Sequence, residues 1–347
     1  MTFFNFLHQV TSSPVLFITT LLVLGVILVN GWTDAPNAIA TCVSTRAIRP
    51  KQAVMMAAVF NFLGVFTMSI INKSVAQTIY NMVDFGDKTD YALIALCAAL
   101  FAIVIWATAA WYFGIPTSES HALIAGVTGA AIALQGGKGI NFDQWIKIIY
   151  GLGLSTVLGF GLGFIINKIV NYVCKNMDKR KTNKAFQGGQ VAGGAMMAFM
   201  HGAQDGLKFM GVFILGIFLA NGQTEAKMIV PFWLIVLVSS IMTLGTSIGG
   251  YKIIKTVGLD MVKLNKPQGF SADVAASICL YLATAQGIPV STTHTKTTAI
   301  MGVGASKKLS SVNWAVVREM VIAWILTFPG CGLLSFIMAQ LFMYLFL

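Results

Sequence analysis

Two short patterns each occur twice in this chain, in the same order and at nearly the same separation. Gly31-Trp32-Thr33-Asp34-Ala35-Pro36-Asn37 is matched by Gly202-Ala203-Gln204-Asp205-Gly206-Leu207-Lys208, with the two aspartates 171 residues apart. Gly114-Ile115-Pro116-Thr117-Ser118-Glu119-Ser120-His121 is matched by Gly287-Ile288-Pro289-Val290-Ser291-Thr292-Thr293-His294, with the prolines 173 residues apart. Near-equal offsets mark a duplicated half and not two coincidences. All four copies interrupt strongly apolar segments. Paired Gly/Pro-interrupted apolar segments at matching places in two halves are a signature of membrane proteins whose site lies at the repeat interface.

The rest of the chain fits a membrane protein. Of its 347 residues 56% are hydrophobic and only 10% charged, with a mean hydropathy of +0.78; soluble domains carry roughly 25% charged residues. Period-two alternation is absent, which argues against a β-barrel. The expected fold is an all-α integral membrane protein of two inverted-topology repeats, each with about five transmembrane segments of roughly 20 residues. The segments read as about 15–44, 52–73, 91–113, 115–135 and 144–170, then about 190–220, 229–250, 271–287, 289–305 and 314–346. The first repeat is 1–173, a basic linker spans 174–188 as a solvated loop, and the second repeat is 189–347. The Asp motif is expected to break the first segment of each repeat. The fourth segment starts at Pro116 or Pro289, crossing fully or forming one arm of a re-entrant hairpin near the midplane.

The net charge of +11 does not point to nucleic acid. Basic residues collect in alternate loops: Arg46, Arg49 and Lys51; Lys175 to Lys184; Lys252 to Lys266; and Lys307 with Lys308. The intervening loops hold fewer, among them Lys138 and Lys227, beside Asp84, Asp87, Asp90 and Glu225. The positive-inside rule places the first set in the cytoplasm and both termini outside. An odd number of segments per half then sets the halves in opposite senses. The five cysteines show no metal-like or redox spacing and read as packing residues. The N-terminal stretch lacks a basic region and a cleavage site, so no removable signal is expected.

Ionisable side chains cost about 2.5–3.5 kcal/mol each at a bilayer centre. Here Asp34, Glu119, Asp205, Lys208, Lys296, His121, His201 and His294 lie in or beside the repeated motifs. The Pro-Ser/Thr motifs read as helix starts. Thr117, Ser118 and Ser120 in one copy, with Ser291, Thr292 and Thr293 in the other, then surround free backbone N–H groups at two positive helix ends. Such ends bind oxyanions, and two of them related by the repeat can converge on one tetrahedral anion. The competing reading makes these hydroxyls mere caps. Asp34 and Asn37 share a helix face, as do Asp205 and Lys208. Gly31, Pro36, Gly202 and Gly206 suit helix breaks that expose carbonyls for a cation. Glu119 would repel an anion unless protonated. His121 and His294 can orient the preceding hydroxyls. No phosphate-binding nucleotide loop, zinc motif or serine-hydrolase elbow occurs, so neither an ATP-driven pump, an enzyme nor a cofactor is expected.

At these four motifs the chain resembles the inorganic phosphate transporter (PiT) family, bacterial low-affinity branch. The match covers essentially the whole chain, with the motifs in order. The resemblance implies an inverted-repeat symporter in the cytoplasmic membrane that moves inorganic phosphate with H⁺ or Na⁺. Its expected partners are those ions, phosphate and the lipid bilayer, with a homodimer left open. Thr33 and Gln204 replace the family's Asn before each Asp, Lys208 replaces the second-copy Asn, and Asn61 stands where sodium-coupled relatives tend to carry Glu. These departures favour protons, with a neutral metal–phosphate complex as a candidate form of the substrate. A sodium-coupled symporter, a sulfate permease and an anion channel are the alternatives.

Overall fold

In the computed structural model the apolar segments fold into fourteen α-helices among the described residues, which are 2–86, 88–115, 117–222 and 228–347. Asp87, Pro116, Glu225 and Lys227, on which three loop charges and one helix start were read, lie outside those residues. The first half contains α1 (Phe3–Ser12), α2 (Pro14–Thr33), α3 (Pro36–Ser44), α4 (Pro50–Ile71), α5 (Ser74–Tyr80), α6 (Thr89–Phe113), α7 (Glu119–Gln135) and α8 (Phe142–Val173). The second contains α9 (Lys179–Ala220), α10 (Phe232–Ile248), α11 (Tyr251–Lys255), α12 (Lys266–Ala285), α13 (Thr292–Lys307) and α14 (Trp314–Phe346). Each of the ten expected segments is represented by a helix. α1, which precedes them, was not expected; Thr2 starts it by accepting the Asn5 N–H.

Six helical stretches among the described residues are long and apolar enough to cross a bilayer, or seven if the pair 232–248 and 252–260, bent by 70°, counts as one span. Of the other expected spans, α7 and α13, with 17 and 16 residues, fall short of the roughly 20 a full crossing needs. Protein surrounds both: α13 is buried from Thr292 to Ser306. A helix shielded from lipid can carry the five threonines, His294 and Lys296 of that buried stretch.

Three local expectations are corrected. α9 runs unbroken for 42 residues through Gly202 and Gly206, whereas the first-half motif does break the helix, between Thr33 and Pro36. Proline at 36 lacks the N–H that a continuous helix would use there. The second copy has no proline, and its glycines serve packing: a Cβ at Gly202 would overlap the Asn61 backbone of α4, and one at Gly64 would overlap Phe199. The linker is also shorter than expected, because the helix begins at Lys179, where Asp178 accepts the Arg180 and Lys181 N–H groups. Finally, α7 and α13 start at serine caps and not at prolines.

The halves interlock. α4 packs on α9 as α10 packs on α2; α8 packs on α13 as α14 packs on α7; α8 packs on α12 as α14 packs on α6. These contacts between halves come in reciprocal pairs.

Gly202→Ala is expected to lower stability by about 1–3 kcal/mol through overpacking against α4. Gly153→Ala, where a Cβ meets nothing within 4 Å, is expected to be neutral or stabilising. Thermal unfolding in detergent checks both, and equal melting would contradict the close approach.

Candidate functional site

The loops before α7 and α13 are built alike. Gly114 and Gly287 adopt φ of 71° and 68°, a left-handed turn that glycine enters without steric cost. Both loops end in an extended serine, Ser118 before α7 and Ser291 before α13. Each serine caps its helix: Ser118 Oγ accepts the His121 N–H at 3.3 Å and Ser291 Oγ the His294 N–H at 3.1 Å. The two caps face one another, with Ser291 donating its hydroxyl to Ser118 Oγ at 2.7 Å. One turn behind them the His121 and His294 rings meet at 4.2 Å, His294 stacked on Trp324 and His121 against Phe328.

The aspartates flank these helix ends, and each is held by the opposite half's hydroxyl motif. Asp34 Oδ1 accepts from the Asn37 amide at 2.8 Å and from the Thr293 hydroxyl. Asn37 also donates to Thr293 Oγ1 at 3.0 Å. Asp205 Oδ1 accepts from Lys208 Nζ at 2.7 Å and from Ser120 at 3.5 Å. Lys208 also donates to Ser120 Oγ at 2.6 Å and to the Val290 carbonyl. Ser120 and Thr293 occupy the same place in their motifs, as do Asn37 and Lys208. The two clusters are therefore versions of one design, with an ammonium in the second where the first has an amide. Thr292 donates to Asp205 Oδ2 at 3.2 Å. Glu119, the first-copy counterpart of Thr292, is buried beside Asn30 and near both aspartates.

The structure thus brings Asp34, Asn37, Ser118, Glu119, Ser120, His121, Asp205, Lys208, Ser291, Thr292, Thr293 and His294 into one buried region. Thr117 stands apart: it is half-buried, and its hydrogen bond runs from the backbone N–H to Ile115 O. Sequence reasoning overlooked Asn30 and left His201 without a role. Asn30 Nδ2 donates to Asp205 Oδ2 at 3.2 Å, and His201 Nε2 lies 3.3 Å from the same oxygen. Their signal was legible: they stand 171 residues apart, each one turn before its aspartate. Asn61 holds the other side of His201, with Oδ1 3.0 Å from Nδ1.

Three buried carboxyl groups and one ammonium share this region, so its charge is not balanced by fixed cations alone. One ligand atom each of Asp34, His201 and Asp205 lies within 4.8 Å of the others, a spacing suited to holding a cation. The convergent hydroxyls and helix N-termini suit an oxyanion. The arrangement can accommodate both signs of charge side by side.

Comparison with known proteins agrees. A relative from Bacillus subtilis (strain 168), described as "Probable low-affinity inorganic phosphate transporter", is 40% identical over 301 residues, covering 87% of this chain and 89% of the relative. A protein of the same description from Rhizobium meliloti (strain 1021) is 37% identical over 307 residues, covering 88% and 90%. The fold matches a solved structure described as "The sodium-dependent phosphate transporter", with a TM-score of 0.87 and 24% identity, over 96% of this chain and all of that one. The family and these relatives are transporters and not enzymes. The phosphate transporter family model matches residues 30–335, a stretch that holds all four repeated motifs and every residue of the buried site, and the chain belongs to that family.

Proposed function

We propose that the chain is a symporter that carries inorganic phosphate across the cytoplasmic membrane, through a site at the junction of two inverted repeats, 1–173 and 189–347. The observation that carries this reading is the pair of capped helix ends, with Ser118 and Ser291 2.7 Å apart. A capping hydroxyl accepts from its helix through oxygen, so the proton that Ser291 now gives to Ser118 can turn to a ligand without loss of either cap. Two positive helix ends add attraction without a fixed full charge, which favours release as well as binding. The ligand hydroxyls are Ser118, Ser120, Ser291, Thr292 and Thr293. Thr117 is set aside, since its counterpart Val290 has no hydroxyl. The reciprocal packing of the halves supports the inverted repeat.

Coupling is assigned to protons. A phosphate anion entering beside Asp34, Glu119 and Asp205 needs compensating positive charge. Lys208 supplies a tethered cation in the second cluster, and protons on the remaining carboxyls supply the rest. A specific observation keeps a second reading, sodium coupling, in view: the Asp34–Asn37–Thr293 cluster contains no ammonium of its own.

Phosphate counterflow in proteoliposomes of the purified chain tests the transport reading. Uptake is expected to saturate and to accelerate when phosphate is loaded inside. Linear flux without acceleration would mark a channel, and equal flux of sulfate, with phosphate failing to compete, would make it a sulfate permease.

Both termini are proposed to lie outside and residues 174–188 in the cytoplasm. A single cysteine at Asn183, exposed near the start of α9, on a cysteine-free background is expected to react with an impermeant reagent from the cytoplasmic face only. Reaction from the outer face would reverse the topology.

A further inference from the structure

A second buried charge cluster lies beside the candidate site and belongs to no repeated motif. Lys296 on α13 is paired with Asp273 on α12, both side chains being fully enclosed. Thr41 on α3 bridges them: it donates to Asp273 Oδ1 at 2.6 Å and accepts from Lys296 Nζ at 3.2 Å. Cys42 Sγ lies 3.9 Å from Asp273 Oδ2 and donates to the Gln190 carbonyl of α9. A buried ion pair is weak evidence of stabilisation, because apolar residues of similar volume fill such a place at no greater cost.

Its position gives it a task. Lys296 follows Thr293 by one turn on α13, and Thr41 follows Asn37 by one turn on α3, so the cluster joins the two helices a second time, about 5 Å further along. Both helices run from the site toward the basic loops, α3 to Arg46 and Arg49, α13 to Lys307 and Lys308. The cluster therefore stands between the site and the basic face. α3 has only nine residues and is separated from α2 by the break at Asp34 and Ala35, so it can move without dragging α2.

The other half closes the corresponding place differently. The repeat offsets carry Thr41, Asp273 and Lys296 onto Val212, Leu100 and Leu123. All three are buried and belong to one apolar core. Equivalent places in the two repeats are thus filled by charge on the basic side and by hydrocarbon on the other.

We propose that the Lys296–Asp273 pair, bridged by Thr41, is the gate that closes the site toward the basic face, and that it opens by separation of α3 from α12 and α13. The apolar trio is its counterpart toward the opposite face. This rests on the reading of the neighbouring region as a transport site.

Cys42 is a reporter already in place. With Cys97, Cys174, Cys279 and Cys331 replaced, the full-length chain in proteoliposomes is treated with an impermeant thiol reagent from either face. Cys42 is expected to react slowly. Asp273→Asn, which leaves Lys296 without its counter-charge, is expected to speed the reaction from the basic face roughly tenfold and not from the other. Asp273→Leu/Lys296→Leu, which copies the apolar counterpart, is expected to restore slow labelling while phosphate counterflow falls. Thr41→Val gives an intermediate rate, and serves in place of Asp273→Asn should that variant not fold. Unchanged labelling in folded Asp273→Asn or Thr41→Val protein, or equal acceleration from both faces, would overturn the gate. Labelling needs no substrate, so a wild-type chain that fails to exchange phosphate would count against the transport reading alone.

Discussion

Asp205→Asn is expected to abolish phosphate accumulation and to lower stability by about 3–5 kcal/mol, the usual consequence of removing one partner from a buried ion pair. Asp205 accepts from Lys208, Ser120, Thr292 and Asn30 and lies against His201. The variant leaves the Lys208 ammonium with the Ser120 hydroxyl and the Val290 carbonyl but no carboxylate in direct contact. Asp34→Asn is expected to abolish accumulation as well, with a smaller stability loss, since no ammonium hydrogen-bonds to that carboxylate. The double variant Asp205→Asn/Lys208→Asn separates the two effects: stability should largely return while accumulation stays lost. Thermal unfolding in detergent and uptake into proteoliposomes report them independently. A stable, fully accumulating Asp205→Asn protein would remove the carboxylate from the mechanism.

Ser118→Ala and Ser291→Ala are each expected to weaken phosphate binding by about 1.5–3 kcal/mol, the range for a hydrogen bond to a charged group. That corresponds to a rise in apparent KM of roughly tenfold to a hundredfold. Each variant also loses a helix cap, costing about 0.5–2 kcal/mol of stability, so affinity must be read on folded protein. Ser→Thr at either position keeps hydroxyl and cap and is expected to restore most of the affinity. Thr117→Val is the control, expected to bind normally because the second copy already has Val290 there. Equal apparent KM in wild type and both alanine variants would take the facing caps out of the site.

The duplicated motifs make much of the buried region legible in the sequence itself. Asp34 and Asp205, and the hydroxyls of Ser118 and Ser291, stand out because repetition at a fixed offset is visible in the letters. The exchange of partners between halves was not visible, since Asp34 bonded to Thr293 and Asp205 to Ser120 are tertiary facts. Glycine misled at 202 and 206, where the residue permits either a broken helix or a close approach; the position of α4 decides for the latter. Proline misled at 116 and 289, because a serine two residues on can cap the helix instead. Asp273 escaped notice because it lies outside every repeated motif and its partner Lys296 is supplied by another helix. Four of the ten segments read as crossings are too short, too polar or too sharply bent to qualify alone; for α7 and α13 this goes with enclosure by the remaining helices, which hydropathy does not reveal.

Fixed positive charge on Lys208, paired with Asp205, and exchangeable protons on Asp34 and Glu119 are proposed to let an anion enter beside buried carboxyls. Phosphate uptake into proteoliposomes, with pH and sodium gradients imposed separately, tests it most directly. The prediction is accumulation driven by an inward proton gradient in the absence of sodium, lost in Asp34→Asn and Asp205→Asn. Robust uptake driven by a sodium gradient at clamped pH and zero membrane potential, with no response to a pH gradient, would contradict it.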